Sequence, residues 1–181
     1  GLRGTRSEGY TVENLFIPEA LSMDRETEAE RRVNSTLFIF PTTAVYASVF
    51  SSVALGIAQG AFDDLFALGL EKKARAARTA LRESPVFQTK LAELEAQLGS
   101  ARAYKHAILT EIWDKVDDSG ELAMTDRARI RLATTYAINQ ATSVVEQVYH
   151  MAGSTAIFDN GPFERRFRDI HAVSQQLQGR A

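Results

Sequence analysis

Histidine is the side chain best suited to moving a proton near neutral pH, and the chain contains three, His106, His150 and His171. They lie far apart in the sequence. None has a metal-binding partner three or four residues further along, apart from carboxylates expected on an exposed helix face. Zinc needs three or four converging ligands, so we predict no metal site. The chain has no cysteine, which excludes disulfides, thiolate metal sites and cysteine nucleophiles.

A basic cluster follows the first long apolar stretch of the sequence. Its members are Lys72, Lys73, Arg75, Arg78 and Arg82. One interpretation is a solvated helix end, where cations interact favourably with the helix dipole. The other is contact with the phosphate of an anionic cofactor, to which an arginine such as Arg82 can donate two hydrogen bonds.

The most informative segment runs from Gly153 to His171 and reads GSTAIFDNGPFERRFRDIH. A polar loop leads into a helix predicted to begin at Pro162, and an acidic residue in its first turn, Glu164, suits the helix dipole. The adjacent pair Arg168 and Asp169 is suited to tying neighbouring helices together. On their own, these features describe a helix junction and assign no chemistry.

The composition limits the classes of partner and compartment. The 181 residues are 45% hydrophobic with a net charge of -2, which indicates a folded domain with no long-range attraction to nucleic acid or anionic membranes. The richest apolar stretch, 44–61, is interrupted by polar residues, and the N-terminus lacks the pattern of a signal peptide. We expect a cytoplasmic protein with no nucleic-acid or membrane partner. We interpret the chain as a piece of something longer.

The elements that must position these residues are predominantly helical. Residues 1–23 are predicted to be extended, because strand formers alternate imperfectly up to Pro18. The charged residues that follow predict a linker over 24–40, ahead of a helical domain over 41–181. Four helices joined by short loops predict an all-α, up-down four-helix bundle.

The helix boundaries follow from local signals. The first helix is predicted over 42–70 and the second from Ser84-Pro85, with the serine as cap, to a break at 117–120. A third is predicted to be capped by Thr125 or Asp126 and to end near 152–155. A fourth is predicted over 162–177.

Apolar residues recur three or four positions apart in the first three helices, which places them on one face. In the first helix they are Phe50, Ala54, Ile57, Ala61, Leu65 and Leu68. In the second they form a seven-residue repeat that Lys105 interrupts. In the third they are Ile130, Thr134, Ala137, Ala141, Val144, Val148 and Met151. The faces predict a shared core, and surplus apolar surface would suit contact between subunits.

The segment 153–171 resembles the C-terminal signature of the acyl-CoA dehydrogenase superfamily. In that signature a glycine-rich loop is followed by a proline, an acidic or polar residue, a basic residue and an Arg-Asp pair. Here these are Pro162, Glu164, Arg165 and Arg168-Asp169. The opening residues, 1–18, are similar to the end of the family's middle β-domain. The resemblance spans nearly the whole chain and implies a C-terminal four-helix domain that follows the end of a β-domain.

The resemblance is closer to the flavin-dependent monooxygenase branch than to the dehydrogenases. That branch includes hydroxyphenylacetate hydroxylase oxygenase components and dibenzothiophene monooxygenase. Acyl-CoA dehydrogenases commonly carry a catalytic glutamate two residues before the proline, and here that position is Asn160, an amide that cannot act as a carboxylate base. Several monooxygenases carry a histidine where this chain has Gln176. His171 remains as a titratable group, in a catalytic role or as a helix-face histidine at a subunit contact.

The resemblance implies a flavin cofactor, FMN or FAD, supplied in reduced form by a flavin reductase, and a homotetramer that acts with O2 on a small aromatic or heterocyclic molecule. It implies catalytic positions at His171 and Asn160. Implied cofactor-binding positions are Arg82, Gln147, Ser154, Thr155, Gln175 and Gln176. Two alternatives stay open: an acyl-CoA dehydrogenase with bound FAD, and an inactive helical assembly module. We expect these residues alone to bind flavin weakly or not at all.

Overall fold

The computed structural model describes residues 8–24, 27, 32–73 and 79–179. Within these ranges the chain forms four long helices and no strand, with one isolated antiparallel bridge between Lys73 and Ala80. The helices are α1 (Thr42–Glu71), α2 (Pro85–Ser119), α3 (Met124–Ala152) and α4 (Pro162–Ser174). The predicted all-α four-helix fold is confirmed.

Contacts between side chains show that consecutive helices are antiparallel. Along α1 and α2, Ser52 meets Lys105 and Gln59 meets Arg102, so residue numbers rise in one helix as they fall in the other. The same reversal relates α2 to α3. The ends of α1 and α3 meet instead through a bond from Lys72 to the carbonyl of Ala152, so these two helices are parallel. This is the up-down arrangement.

The core lies where α1 and α3 face each other. Small residues on α1, including Ala54, Ala58 and Ala61, are fully or almost fully buried and let α3 approach closely. On α3 the predicted face is buried from Ile130 to Val148. Thr134 is buried within that face and donates its hydroxyl to the Ile130 carbonyl at 2.8 Å, so the hydroxyl is hydrogen-bonded.

The ends of α2 match their predicted signals. Ser84 accepts a hydrogen bond from the Phe87 amide at 3.4 Å, and Pro85 is the first helical residue. At the other end Gly120 has a φ of 72°, a left-handed conformation that glycine adopts without steric cost. Only Gly120 to Ala123 separate α2 from α3.

The start of α3 corrects the prediction of a side-chain cap at Thr125 or Asp126. The helix begins at Met124, and Ala123 occupies the cap position without a side-chain bond. Asp126 is buried and accepts a bond from Lys115 of α2 at 2.5 Å, with Arg129 3.7 Å away. The carboxylate therefore joins α2 to α3.

The end of α4 corrects the prediction of a helix to residue 177. The helix ends at Ser174, and a short 3-10 helix follows over Leu177–Gly179. Arg131 and Thr135 of α3 donate bonds to the carbonyls of Leu177 and Gln178. These bonds hold the last described residues against α3 and turn them away from the helix axis.

The predicted tie through Arg168 is also wrong. Arg168 pairs with Glu164 one turn earlier in its own helix, at 2.5 Å. The inter-helix tie is made by Arg166, whose Nε lies 2.6 Å from an Asp64 carboxylate oxygen of α1. The two arginines are two positions apart in the helix, so they project from different sides of α4.

The segment before the bundle has few contacts within the chain. In the described residues 8–24 it forms one short 3-10 helix, Glu19–Leu21, and no strand. Tyr10 and Phe16 are 90% and 84% exposed. The assignment of 1–23 to a β-domain and of 24–40 to a linker stays a prediction.

Helix α1 is long and apolar enough to cross a membrane, judged by length and composition alone. Of its most apolar window, 33% is buried inside the chain. The core helix of a bundle meets the same criterion, so this is weak evidence for a membrane span.

Candidate functional site

The connection between α3 and α4 carries three of the predicted site residues. Gly153 ends α3 with a φ of 58° and begins a 3-10 helix, Gly153–Ile157. In it Ser154 is exposed, Thr155 is half-buried, and Ala156 is buried in the core. Asn160 is exposed in the turn that the Gly161 amide closes by donating to the Phe158 carbonyl at 3.1 Å. Ser154 and Asn160 therefore share one short connection.

Lys72 anchors this connection to α1. Its Nζ donates to the Ala152 carbonyl at 2.6 Å and to Thr155 Oγ1 at 2.7 Å. Its own backbone carbonyl accepts a bond from the Leu81 amide at 2.9 Å. The cluster that contains Lys72 is predicted to be a solvated helix end or a phosphate contact. The structure shows the Lys72 ammonium group bonded within the chain at the end of α3 rather than solvated, and the phosphate contact stays a prediction. No sequence signal singled Lys72 out from the neighbouring lysine.

Arg82 lies at the same end of the bundle, in a short 3-10 helix, Leu81–Glu83. Its side chain is 59% exposed, with Nε 4.0 Å from Glu83 Oε1, which leaves the guanidinium accessible to an anion. It borders a small cleft of about 120 Å³ between the end of α1 and the start of α2. Of the other cluster members, Lys73 is exposed, and Arg75 and Arg78 lie outside the described residues.

Gln147 belongs to a chain of amides between α2 and α3. Its Nε2 donates to Gln97 Oε1 at 3.3 Å and to Ser143 Oγ at 3.2 Å. The Nε2 of Gln97 in turn donates to Gln140 Oε1 at 2.8 Å. The NH2 of Gln147 is therefore held within the chain, and its carbonyl oxygen is the atom better suited to receive a ligand.

His171 is held against α3. Its Nε2 lies 3.6 Å from Glu146 Oε1, and its ring centroid lies 4.4 Å from that of Phe167. Phe167 in turn packs on Tyr149 at 4.7 Å. These contacts fix the ring, and both roles proposed for His171 stay predictions.

The two predicted glutamines lie beside the middle of α3, away from the bundle end that carries Arg82. Gln175 is exposed and Gln176 is half-buried, just before the residues that bind α3 at Thr135. Thr135 and Ala152 are separated by about 25 Å along the helix, at 1.5 Å per residue. The predicted cofactor-binding residues thus form two groups, and one chain does not bring them into one cleft.

The two groups share a chemistry. Hydroxyl and amide side chains in both groups can donate and accept hydrogen bonds, and Arg82 adds a charge suited to phosphate. Among the described residues no group of three histidines or carboxylates could hold a metal ion. The arrangement suits binding of a polar aromatic cofactor with an anionic tail.

The family is shown by a match to the acyl-CoA dehydrogenase C-terminal domain over residues 48–178. The chain belongs to this family. It is similar to indole-3-acetate monooxygenase from Pseudomonas putida, at 28% identity over 175 residues that cover 97% of this chain and 44% of that protein. It is also similar to the oxygenase component of p-hydroxyphenylacetate 3-hydroxylase from Acinetobacter baumannii, at 26% identity, covering 94% and 42%.

Among solved structures the fold is similar to XiaF from Streptomyces sp., which was solved in complex with FADH2 and glycerol. The TM-score is 0.76 at 21% identity, covering 90% of this chain and 41% of that one. This likeness supports the fold. The chain spans less than half the length of the curated relatives named above.

Proposed function

We propose that the chain is the C-terminal helical part of a flavin-dependent monooxygenase, which uses reduced flavin and O2 on a small aromatic or heterocyclic substrate. The observation that carries the proposal is the exposed amide of Asn160, two residues before Pro162. An acyl-CoA dehydrogenase commonly needs a carboxylate base at this position, and an amide cannot remove a proton. The names of the relatives support the same class.

The cofactor is reduced FMN or FAD, delivered by a separate flavin reductase. Reduced flavin supplies the activation of O2, and the protein supplies binding, orientation and exclusion of water. Ser154, Thr155, Gln175 and Gln176 are the donors and acceptors for the ring system. Arg82 and the Gln147 carbonyl serve the phosphate or ribityl part. His171 and Asn160 line the reacting end.

A second copy of the chain completes this site. The two groups of predicted residues lie about 25 Å apart along α3, so one flavin meets both groups most simply where two chains pack side by side. This supports the proposal of a homotetramer. We place the enzyme in the cytoplasm, without nucleic-acid or membrane partners.

The proposal is tested on the intact protein supplied with a reductase and reduced FMN or FAD under ¹⁸O2. We expect one ¹⁸O atom in the product of at least one phenol or nitrogen heterocycle in a panel, measured by mass spectrometry. Oxidation of reduced flavin with no labelled product across the panel would argue against a monooxygenase.

Acyl-CoA dehydrogenation is the second candidate, and the family match favours it. Asp159 supplies an exposed carboxylate next to Asn160. The discriminating measurement is anaerobic mixing of the FAD-loaded intact protein with a series of acyl-CoA thioesters. Bleaching of the flavin absorbance would support the dehydrogenase.

An assembly module without activity is the remaining alternative. It is favoured by Gln176, because glutamine cannot exchange a proton as the histidine of several monooxygenases can. Such a module would show no activity in either assay.

A further inference from the structure

Lys72 joins three segments at one end of the bundle. It follows directly after α1, its backbone carbonyl accepts from Leu81 at 2.9 Å, and its Nζ reaches Ala152 and Thr155. Leu81 begins the short helix that carries Arg82. One residue therefore links the segment that carries the candidate phosphate ligand to the segment that carries Ser154 and Thr155.

The bond to Ala152 adds a cation to the C-terminal end of α3. The last carbonyls of a helix have no partner within the helix and carry partial negative charge, so a cation is favourable there. Gly153 adopts a φ of 58°, and a Cβ at that position would lie 3.9 Å from Nζ, which is an ordinary contact distance. The ammonium group is thus held by the helix end independently of any ligand.

The bond to Thr155 sets the polarity of its hydroxyl group. A lysine ammonium group only donates hydrogen bonds, so Thr155 Oγ1 must accept from Lys72. The single hydroxyl proton of Thr155 then remains for a different acceptor. Because the accepted bond is charge-assisted, it is short at 2.7 Å and fixes the oxygen in place.

We propose that Lys72 is a positioning residue for the flavin site: it holds Thr155 as a hydrogen-bond donor toward an acceptor atom of the cofactor, a ring nitrogen or a carbonyl oxygen. This inference rests on the proposed function. It assigns Lys72 a role through Thr155 and the α3–α4 connection, not through direct attraction of the cofactor phosphate.

Lys73 provides a matched control. It is the next residue, it is exposed, and it carries the same charge. If the basic cluster acts only through its net charge, Lys72→Gln and Lys73→Gln will weaken binding of an anionic flavin equally. If Lys72 positions Thr155, Lys72→Gln will weaken flavin binding more than Lys73→Gln does.

The experiment measures the Kd of reduced FMN and FAD for the intact protein, together with its thermal unfolding temperature. We expect Lys72→Gln to raise the Kd about tenfold, which corresponds to about 1.4 kcal/mol, and Lys73→Gln to change it less than about twofold. Thr155→Val should also raise the Kd, and Thr155→Ser should restore it, because serine keeps the hydroxyl. In the double variant Lys72→Gln/Thr155→Val the effects should fall short of additive, since both act through one hydroxyl.

Several results would overturn the inference. One is an equal loss in Lys72→Gln and Lys73→Gln, which would indicate net charge. Another is a lower unfolding temperature of Lys72→Gln with an unchanged Kd, which would indicate a structural role only. The third is strict additivity of the changes in binding free energy caused by Lys72→Gln and Thr155→Val.

If the wild-type protein binds no reduced flavin, the proposed function fails and the role of Lys72 fails with it. If wild type binds flavin and Lys72→Gln binds equally well, the role of Lys72 fails alone.

Discussion

At the scale of single residues, two charged side chains are almost fully buried within the described part of the bundle. Lys105 is 2% exposed, in the middle of the apolar face of α2, and donates to the Ser52 hydroxyl. Asp126 is equally buried but bonds to Lys115 and lies near Arg129. Burial disfavours a charge unless a partner of opposite sign compensates, so the two residues should respond to substitution in opposite directions.

Replacing Lys105 with methionine is expected to raise stability. Burial lowers the pKa of Lys105 from its usual 10.5, so above the folded-state pKa the unfolded chain binds more protons than the folded one. The stability of the wild type should therefore rise with pH up to about 10.5. We expect Lys105→Met to raise the free energy of unfolding by about 1 kcal/mol at pH 7 and by less at pH 10, measured by urea denaturation. A loss of stability at pH 7 would contradict this account, because the bond to Ser52 would then outweigh the cost of burying the charge.

Replacing Asp126 with asparagine is expected to lower stability. The substitution removes the charge that Lys115 contacts and leaves a buried amide, at a cost of about 1–3 kcal/mol. Glu164→Gln is the matched control, because the Glu164–Arg168 pair is more exposed and worth less than about 1 kcal/mol. Equal shifts in the two denaturation curves would contradict this account.

At the scale of elements, the helices were predictable where a local signal defines them. Ser84-Pro85 and Gly120 mark the ends of α2 because capping depends on neighbouring residues alone. The end of α4 was not predictable, since it depends on bonds from Arg131 and Thr135, more than 40 residues earlier. The bond from Lys72 to Thr155 was not predictable for the same reason, because Thr155 is 83 residues away.

The packing of α1 on α2 gives a prediction at this scale. A Cβ on Gly69 would lie 2.6 Å from the ring of Phe87, which is buried in the core, so Gly69→Ala forces the ring to move. We expect a loss of about 1–3 kcal/mol. The control is Gly56→Ala in the same helix, where a Cβ meets nothing within 4 Å. Alanine at that position should stabilise the protein by about 0.5–1 kcal/mol. Thermal denaturation should therefore show a lower unfolding temperature for Gly69→Ala and a higher one for Gly56→Ala.

At the scale of the whole molecule, the predicted bundle is confirmed, and the assignment of the site residues stays a prediction. Apolar periodicity reports which face of a helix is buried, and it did so for α3 from Ile130 to Val148. It does not report which ends meet. The resemblance implies that Arg82 and Gln176 bind one cofactor, whereas the topology places Arg82 at one end of the bundle and Gln176 beside the middle of α3. In the proposed homotetramer, contact between chains would bring them together.

An apolar strip on α1 gives a prediction about that contact. Tyr46, Val49 and Val53 are 48%, 54% and 46% exposed and lie on neighbouring turns. We expect Val53→Asp to weaken self-association of the intact protein, because burying a carboxylate in an apolar contact is costly. Sedimentation velocity would show smaller species at equal concentration. Val86→Asp, on the exposed first turn of α2, should leave the distribution unchanged.

The short link between α2 and α3 has a consequence for the order of folding. Lys115 meets Asp126 across 11 residues of chain, and Glu111 meets Arg129 across 18, so little chain entropy is lost when this hairpin closes. The bond between Asp64 and Arg166 spans 102 residues and closes a far larger loop. The α2–α3 hairpin should therefore form first and serve as the template on which α1 and α4 assemble.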